Sequence, residues 1–576
     1  MELTDNALKV LKRRYLLKDR YGNVIETPEQ MFSRVASYVA SADLIYHERT
    51  DSGEEFYNVM VNLEFLPNSP TLMNAGTDIQ QLAACFVLPV DDSLEDIFET
   101  VKTAALIHQS GGGTGFNFSR LRPARDIVGT TGGIASGPVS FMGVFDAATR
   151  AVRQGGRRRG ANMGVLRVDH PDIIEFITAK CQPGVLTNFN LSVAVTDRFM
   201  GAVEKGESYE LINPRTGKVS AQKDAIEVFN LMVESAWSCG EPGILFIDRM
   251  NRDNPTPEIG IIEATNPCGE QPLLAYEACN LGSINLTKMI TDGRIDYDKF
   301  GRTIDIAIRF LDNVIDLEEF GLDKITHMVK GNRKIGLGVM GFADMLIRLG
   351  IPYNSTDAIK VAEEVMGFID QRAVQASEEI AKRRGVFKNF IGSTYDRSNG
   401  ARVRNATLIT IAPTGTISII AGCSSGIEPI YAVSYIRTVM EGEKLTFTDP
   451  YFEYIAKREG FYSAELMRRI AAVGSVSGMP EVPGLIQRLF VTSHDIGYEW
   501  HIRLQAAFQK YVVNAVSKTI NFKYDAVKED VSGAFKLAYD LGCKGITVYR
   551  DRSRNEQILE GNYCAAESGS IKKNCR

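Results

Sequence analysis

Five short apolar runs with β character frame this chain: CFVLPV (85–90), NLSVAV (190–195), GILFI (243–247), TLITIA (407–412) and GITVY (545–549). The stretches between them carry helix start signals. Thr27-Pro28-Glu29-Gln30 combines an N-cap, a proline at the first helical position and a capping-box glutamine. Ser93 opens a helix predicted to reach about Gln109 and to stop at Gly111-Gly112-Gly113. Pro171 opens another through IIEFITAK, and Asp224 a further one through AIEVFNLMVESAW. Nearer the start, Leu8, Leu11 and Tyr15 fall on one helical face. Short strands alternating with helices predict an α/β architecture with largely parallel pairing.

A chain of 576 residues has room for several average domains or for one large barrel with additions. A formal net charge of −6 argues against a protein devoted to nucleic acid. No apolar run approaches the length of about 18 residues needed to span a membrane. The start, MELTDNALKVLKRRY, lacks the apolar core of a signal peptide, so a cytoplasmic location is expected. The final stretch, EGNYCAAESGSIKKNCR, is small, polar and unpatterned, and reads as a mobile tail.

The nine cysteines include no CxxC pair, so neither a zinc knuckle nor a thioredoxin-type motif is indicated. One cysteine stands out by its neighbours. In NPCGE (266–270), an amide, a thiol and a carboxylate occupy alternate positions. In an extended segment such side chains point to one side, roughly 7 Å apart, so Asn266, Cys268 and Glu270 can face one small ligand. A loop with solvated Asn and Glu and a packed Cys accounts for the spacing equally well. Cys268 lies shortly before Cys279, in EACNLGSINL, and Cys85 lies upstream, in AACFVLPVDD. Three converging thiols and three unrelated buried ones both remain open.

Two further motifs suit phosphate. IAPTGTIS (411–418) follows an apolar run and offers Thr414, Gly415 and Thr416, as an anion-binding turn or an ordinary one. SGGGTGFNFSRLRP (110–123) and RQGGRRRGANMG (153–164) are glycine-rich and carry arginines, including Arg157 to Arg159. They read as loops able to grip a polyphosphate, or as solvated basic turns. The six histidines are isolated, and Asp169-His170-Pro171 does not continue as the cobalamin signature DxHxxG.

Taken together, NPCGE, CFVLPVDDS, SGGGTGF, EACNLGSINL and APTGTIS resemble the ribonucleotide reductases, in that family's order and spacing from about residue 60 to residue 555. The resemblance implies a ten-stranded α/β barrel over 56–555, a helical segment over 1–55 and a flexible tail over 556–576. It implies that Cys268 becomes a thiyl radical and takes the 3′ hydrogen of the substrate ribose. Glu270 would take the 3′-hydroxyl proton, and Asn266 would hold the sugar hydroxyls. Cys85 and Cys279 would deliver two electrons and end as a disulfide. Ser69, Ala84, Gly113, Pro413, Thr414, Gly415, Thr416 and Ile417 match the substrate pocket and its phosphate cradle. Asp92 and Arg122 resemble residues of a site that reads deoxynucleoside triphosphates. CQPGVLTN (181–188), with Gln182 and Asn188, would connect that effector to the substrate across a homodimer.

Radical sources divide the family. Class I large subunits carry adjacent tyrosines that relay a radical from a partner subunit, whereas this chain has Thr547 and Val548 at the matching place. No glycyl-radical motif of class III occurs near the C-terminus. The wording of NPCGEQ and PTGT resembles class II, so adenosylcobalamin is the expected cofactor and ribonucleoside diphosphates the expected substrates. Cys564 and Cys575, on the tail, are expected to shuttle electrons from thioredoxin or a similar reductant. The N-terminal segment is too short for an ATP-cone, so specificity control without dATP shut-off is expected. The alternatives are a class I-type large subunit that needs a radical-generating partner, a hydrolase with Cys268 as nucleophile, and a non-catalytic nucleotide sensor.

Overall fold

The computed structural model describes residues 1–48, 52–129, 132–152, 160–439, 443–553 and 559–560. Arg157 to Arg159, Cys564 and Cys575 lie outside them.

The strands that matter for the site are β1 (Phe65–Pro67), β2 (Cys85–Pro89), β3 (Gly113–Asn117), β4 (Asn162–Arg167), β5 (Phe189–Val195), β6 (Gly243–Phe246), β7 (Ala264–Thr265), β8 (Pro272–Leu273), β9 (Ala278–Asn285), β10 (Ile335–Met340), β11 (Thr519–Phe522) and β12 (Gly545–Arg550). Strands β2 to β6 pair side by side and parallel. A second parallel set contains β9 with β10 and β11 with β12. The segment 407–412 links these two pairs through the bridges Leu337↔Ile409 and Ile411↔Val516. The two sets meet at antiparallel seams, Leu245↔Gly545 on one side and Cys85↔Cys279 on the other. The ring is therefore closed. The main sheet counts ten strands, of which β1 pairs with β9 outside the ring while 407–412 completes it. TLITIA thus contributes bridges rather than the continuous strand its composition predicts.

Alternation along the strands sorts side chains between two apolar clusters. Cys85 and Val87, Met163 and Val165, Ala194, Leu245, Cys279 and Leu281 join the cluster inside the ring. Phe86, Leu88, Leu166, Val193, Ile244, Ile284, Ile546 and Val548 join the larger one beneath the helices.

The helices start where their caps predict. Thr27 and Gln30 exchange both capping-box bonds at the head of the helix Pro28–Ala40. Ser93 caps Leu94–Gln109, and Asp224 caps Ala225–Cys239. The helix expected from Pro171 begins at Ile173, because the Asp172 carboxylate turns away to accept the Ala124 N–H at 2.8 Å. At the N-terminus, Leu11 and Tyr15 are buried on a π-helical turn that continues the helix Asp5–Val10. Among the described residues no helix is long and apolar enough to cross a membrane.

Candidate active site

Strands β7 and β8 form an antiparallel hairpin, Thr265 opposite Pro272, with NPCGE at its tip. The extended geometry predicted for this segment is not what the chain adopts. The Gly269 N–H donates to the Asn266 carbonyl at 3.1 Å, closing a turn with Pro267 and Cys268 at its corners. Pro267 presets φ for the first corner, and Gly269 takes a left-handed φ of 83°. The consequence is a division of environments. Cys268 is exposed at the apex, while Asn266 and Glu270 are buried on its flanks.

Each flank is clamped. Asn266 Oδ1 accepts the Gln271 N–H at 3.0 Å, and its Nδ2 donates to Cys85 Sγ at 3.1 Å. The Glu270 carbonyl accepts the Ala515 N–H at 3.0 Å and the Thr410 hydroxyl at 2.8 Å. Asn190 of β5 donates to the Pro267 carbonyl at 2.8 Å. The hairpin is thus tied to both halves of the barrel. Asn190 and Thr410 are isolated polar residues in apolar runs, with no local signal to mark them.

The hairpin lies against β3, and this explains SGGGTGF. A Cβ on Gly115 would stand 1.8 Å from the Thr265 carbonyl oxygen, and one on Gly113 would stand 3.0 Å from Pro267 Cγ. The run is therefore a wall strand stripped of side chains to seat the hairpin, not the flexible polyphosphate loop that its glycines suggest. Its arginines are also committed. Arg120 pairs with Asp91 at 2.7 Å and Glu263 at 2.6 Å, and Arg122 with Asp92 at 2.8 Å. Gly115→Ala is expected to cost about 1–3 kcal/mol in stability and most of the activity, because backbone must move to admit the methyl group. Thermal melting and turnover assays check this, and a fully active variant of parental stability would contradict it.

Cys85 and Cys279 are directly opposite across the β2–β9 seam. Opposed residues of antiparallel strands have Cα atoms about 4.5–5.5 Å apart, within the range a disulfide spans. Both are buried thiols. Cys279 Sγ donates to the carbonyls of Asn280 at 3.4 Å and Lys334 at 3.5 Å, and burial pushes its pKa well above the ordinary thiol value. It therefore keeps its hydrogen at neutral pH. Beside it, Glu277 and Lys334 form an ion pair of 2.6 Å with both side chains 1% exposed. Asn332 at 2.5 Å and the Leu274 N–H at 2.7 Å complete the Glu277 shell.

Glu318 is a group that the sequence did not flag. Its Oε1 accepts the N–H groups of Leu82 at 2.9 Å and Ala83 at 2.8 Å, fixing the approach to Cys85. Burial raises its pKa to about 8, against the lowering effect of those two N–H groups. The folded protein thus holds a proton that the unfolded chain releases, so stability falls as pH rises from about 4.5 through about 8. Glu318→Gln keeps an acceptor for both N–H groups and removes the titration. The variant is expected to gain stability relative to the parent between about pH 5 and about pH 8. Urea unfolding at several pH values measures this, and parallel curves would contradict it.

The remaining expected positions occupy distinct places. Ala84 donates to the Cys279 carbonyl at 3.2 Å and accepts from the Gly113 N–H at 2.8 Å, so both half-buried residues lie beside the thiol pair. Ser69 follows β1 and meets the Tyr15 hydroxyl at 2.7 Å. Thr414 holds a left-handed φ of 52° and its Oγ1 accepts the Gly426 N–H at 2.7 Å. Pro413, Gly415 and Thr416 are half-buried around it, and Ile417 begins a short helix that packs against β1. Asp92 and Arg122 bind each other, and Gln182 is exposed. Asn188 is turned inward instead: its backbone N–H and Nδ2 donate to Asp146 Oδ1 at 2.8 and 3.1 Å. It anchors the 181–188 stretch at its far end. His170 is buried and bonded to the Leu121 carbonyl, a packing role.

The barrel thus carries a cysteine-tipped hairpin beside two buried thiols that stand directly opposite each other. Residues 83–402 and 397–549 match the family described as "Ribonucleotide reductase, barrel domain", and residues 1–80 match "Ribonucleotide reductase, all-alpha domain". The chain is 48% identical to the vitamin B12-dependent ribonucleoside-diphosphate reductase of Thermoplasma acidophilum, over 97% of this chain and 80% of that protein. It is also 48% identical to the protein of that name from Mycobacterium tuberculosis, over 97% of this chain and 81% of that one. In fold it resembles the class Id ribonucleotide reductase alpha subunit of Actinobacillus ureae, with a TM-score of 0.79, 23% identity and coverage of 96% and 97%. The chain belongs to the ribonucleotide reductase family.

Proposed function

We propose that this protein reduces ribonucleoside diphosphates to 2′-deoxyribonucleotides with adenosylcobalamin as its radical source. The observation that carries the reading is the 3.1 Å contact from Asn266 to Cys85, which joins the Cys268 hairpin to a dithiol formed across the seam with Cys279. The names of the Thermoplasma and Mycobacterium relatives support the substrate and the cofactor.

The residues divide the work by environment. Cys268, exposed at the tip, is placed to take the 3′ hydrogen, since an S–H bond is close in strength to an activated ribose C–H. Glu270 takes the 3′-hydroxyl proton, and Asn266 holds the sugar hydroxyls. The 2′-hydroxyl then leaves as water while Cys85 and Cys279 give up two hydrogens and become a disulfide. Cys268 returns its hydrogen to C3′, so one dithiol is consumed per sugar.

Adenosylcobalamin carries its own cobalt and asks the protein for a surface rather than for metal ligands. Among the described residues no cluster of His, Cys, Asp or Glu fits a metal ion. The inner wall near the hairpin carries exposed polar side chains. Asn190 and Thr547 are exposed, and Thr547 lies beside Gly243, where a Cβ would stand 3.1 Å from Ser192 Oγ and 3.3 Å from Thr547 Oγ1. These residues fit the group, and Asn190, Ser192, Gly243 and Thr547 would hold it. When bound, the cofactor supplies by Co–C homolysis the one-electron oxidation that Cys268 needs. Val548 joins the apolar cluster beneath the helices, and neither the threonine hydroxyl of Thr547 nor the alkyl side chain of Val548 is readily oxidised, so the pair relays no radical.

Ser69, Ala84, Gly113 and 413–417 hold the substrate, and deoxynucleoside triphosphates act at Asp92, Arg122 and Gln182 of a homodimer to select it. Cys564 and Cys575 pass electrons from thioredoxin or a similar reductant to the buried pair, in the cytoplasm. Anaerobic incubation of reduced protein with a ribonucleoside diphosphate tests the whole reading. Deoxynucleotide is expected only when adenosylcobalamin is added, and no product with it would overturn the proposal.

A further inference from the structure

A second pair of thiols lies outside the barrel chemistry. Cys181, exposed at the start of the 181–188 stretch, has its Sγ 3.8 Å from Sγ of Cys239. Cys239 is the last residue of the helix Ala225–Cys239, where Gly240 turns the chain in a left-handed conformation. Its thiol donates to the carbonyls of Ser235 at 3.2 Å and Glu241 at 3.4 Å. The two segments are already held together: Lys180 pairs with Glu241 at 2.6 Å, and Glu241 Oε2 accepts the Leu191 N–H of β5 at 2.8 Å. The far end of the stretch is pinned by Asn188 on Asp146. Between the two anchors, residues 182–185 are exposed.

We infer that Cys181 and Cys239 form a reversible disulfide that ties the 181–188 stretch to the end of the helix and sets how far that stretch can move. The consequence for regulation rests on the reading of 181–188 as the link between effector and substrate. The sulfurs must close from 3.8 Å to about 2.05 Å, a movement within reach of side-chain rotation and a small shift of an exposed loop. Hydrogen peroxide is the oxidant. Cys181, the exposed thiol, takes one peroxide oxygen as a sulfenic acid and one water leaves. Cys239 then attacks that sulfur, the S–S bond forms as the S–O bond breaks, and a second water leaves. Two thiol hydrogens and two electrons are lost, and a dithiol reductant restores them. Burial pushes the Cys239 thiol up to about 11, which makes it the poorer nucleophile towards peroxide and leaves the first step to the exposed Cys181.

The test treats the full chain with hydrogen peroxide and maps its cysteine peptides without reduction. A peptide joining Cys181 to Cys239, lighter by two hydrogens and split by dithiothreitol, is expected. Its absence under conditions that oxidise Cys181 overturns the proposal. Cys239→Ser should prevent the link while leaving basal turnover unchanged. Product ratios from mixed ribonucleotides, with and without each deoxynucleoside triphosphate, are then compared in a single turnover for fully reduced protein and for peroxide-treated protein whose peptide map shows the Cys181–Cys239 link beside a still-reduced buried pair. The effector-driven change in preference is expected to shrink by about fivefold or more in the linked form, and not in Cys239→Ser. An equal response in the linked form overturns the regulatory role. A reduced protein with no effector response overturns the reading of 181–188, whatever the mapping shows.

Discussion

Cys268→Ser is expected to abolish deoxynucleotide formation and the cofactor-dependent thiyl signal in electron paramagnetic resonance, with little change in melting temperature. An O–H bond is too strong for its oxygen to serve as the hydrogen-atom carrier, so no substrate radical can form reversibly. The fold should not notice. Cys268 is exposed at the apex of a turn whose geometry is set by Pro267 and Gly269, and exposed substitutions usually stay within about ±0.5 kcal/mol. Retained turnover in this variant would remove the hairpin tip from the mechanism.

Cys85→Ser and Cys279→Ser are expected to separate the radical from the reduction. Each leaves Cys268 in place, so a signal centred there should survive while deoxynucleotide is lost. Serine at 85 can still accept from Asn266 Nδ2, which holds the hairpin through that atom at 3.1 Å. The loss should therefore be one of electrons rather than of structure, and circular dichroism with melting curves distinguishes the two. Breaking the neighbouring Glu277–Lys334 pair is a different matter. Removing one partner of a buried ion pair costs about 3–5 kcal/mol and would destabilise the whole seam.

Much of the fold is written locally. CFVLPV, NLSVAV, GILFI and GITVY became wall strands because their alternating apolar side chains suit a sheet covered on both faces. The caps at Thr27, Ser93 and Asp224 fixed their helices because side-chain acceptors answer the nearest free N–H groups. NPCGE departs from the extended geometry for a physical reason. Alternate spacing implies a shared face only in an extended chain, and Pro267 followed by Gly269 favours a turn. What no local pattern could show is contact at long range. The demand for glycine at 115 comes from the Thr265 carbonyl, and the clamps from Asn190 and Thr410 come from distant strands. Glu318 is marked only by its burial against Leu82 and Ala83. The inward turn of Asn188 has no local signal because its partner, Asp146, lies on the helix Pro138–Val152, far away in the sequence.

The most direct measurement is a single turnover without external reductant. Fully reduced protein, adenosylcobalamin, effector and excess ribonucleoside diphosphate are mixed anaerobically, then quenched, and the cysteine peptides are mapped. The account predicts deoxynucleotide in proportion to a new disulfide joining residues 85 and 279, with Cys268 recovered as a thiol. Deoxynucleotide formed while that pair stays reduced, or a disulfide that includes residue 268, would contradict it.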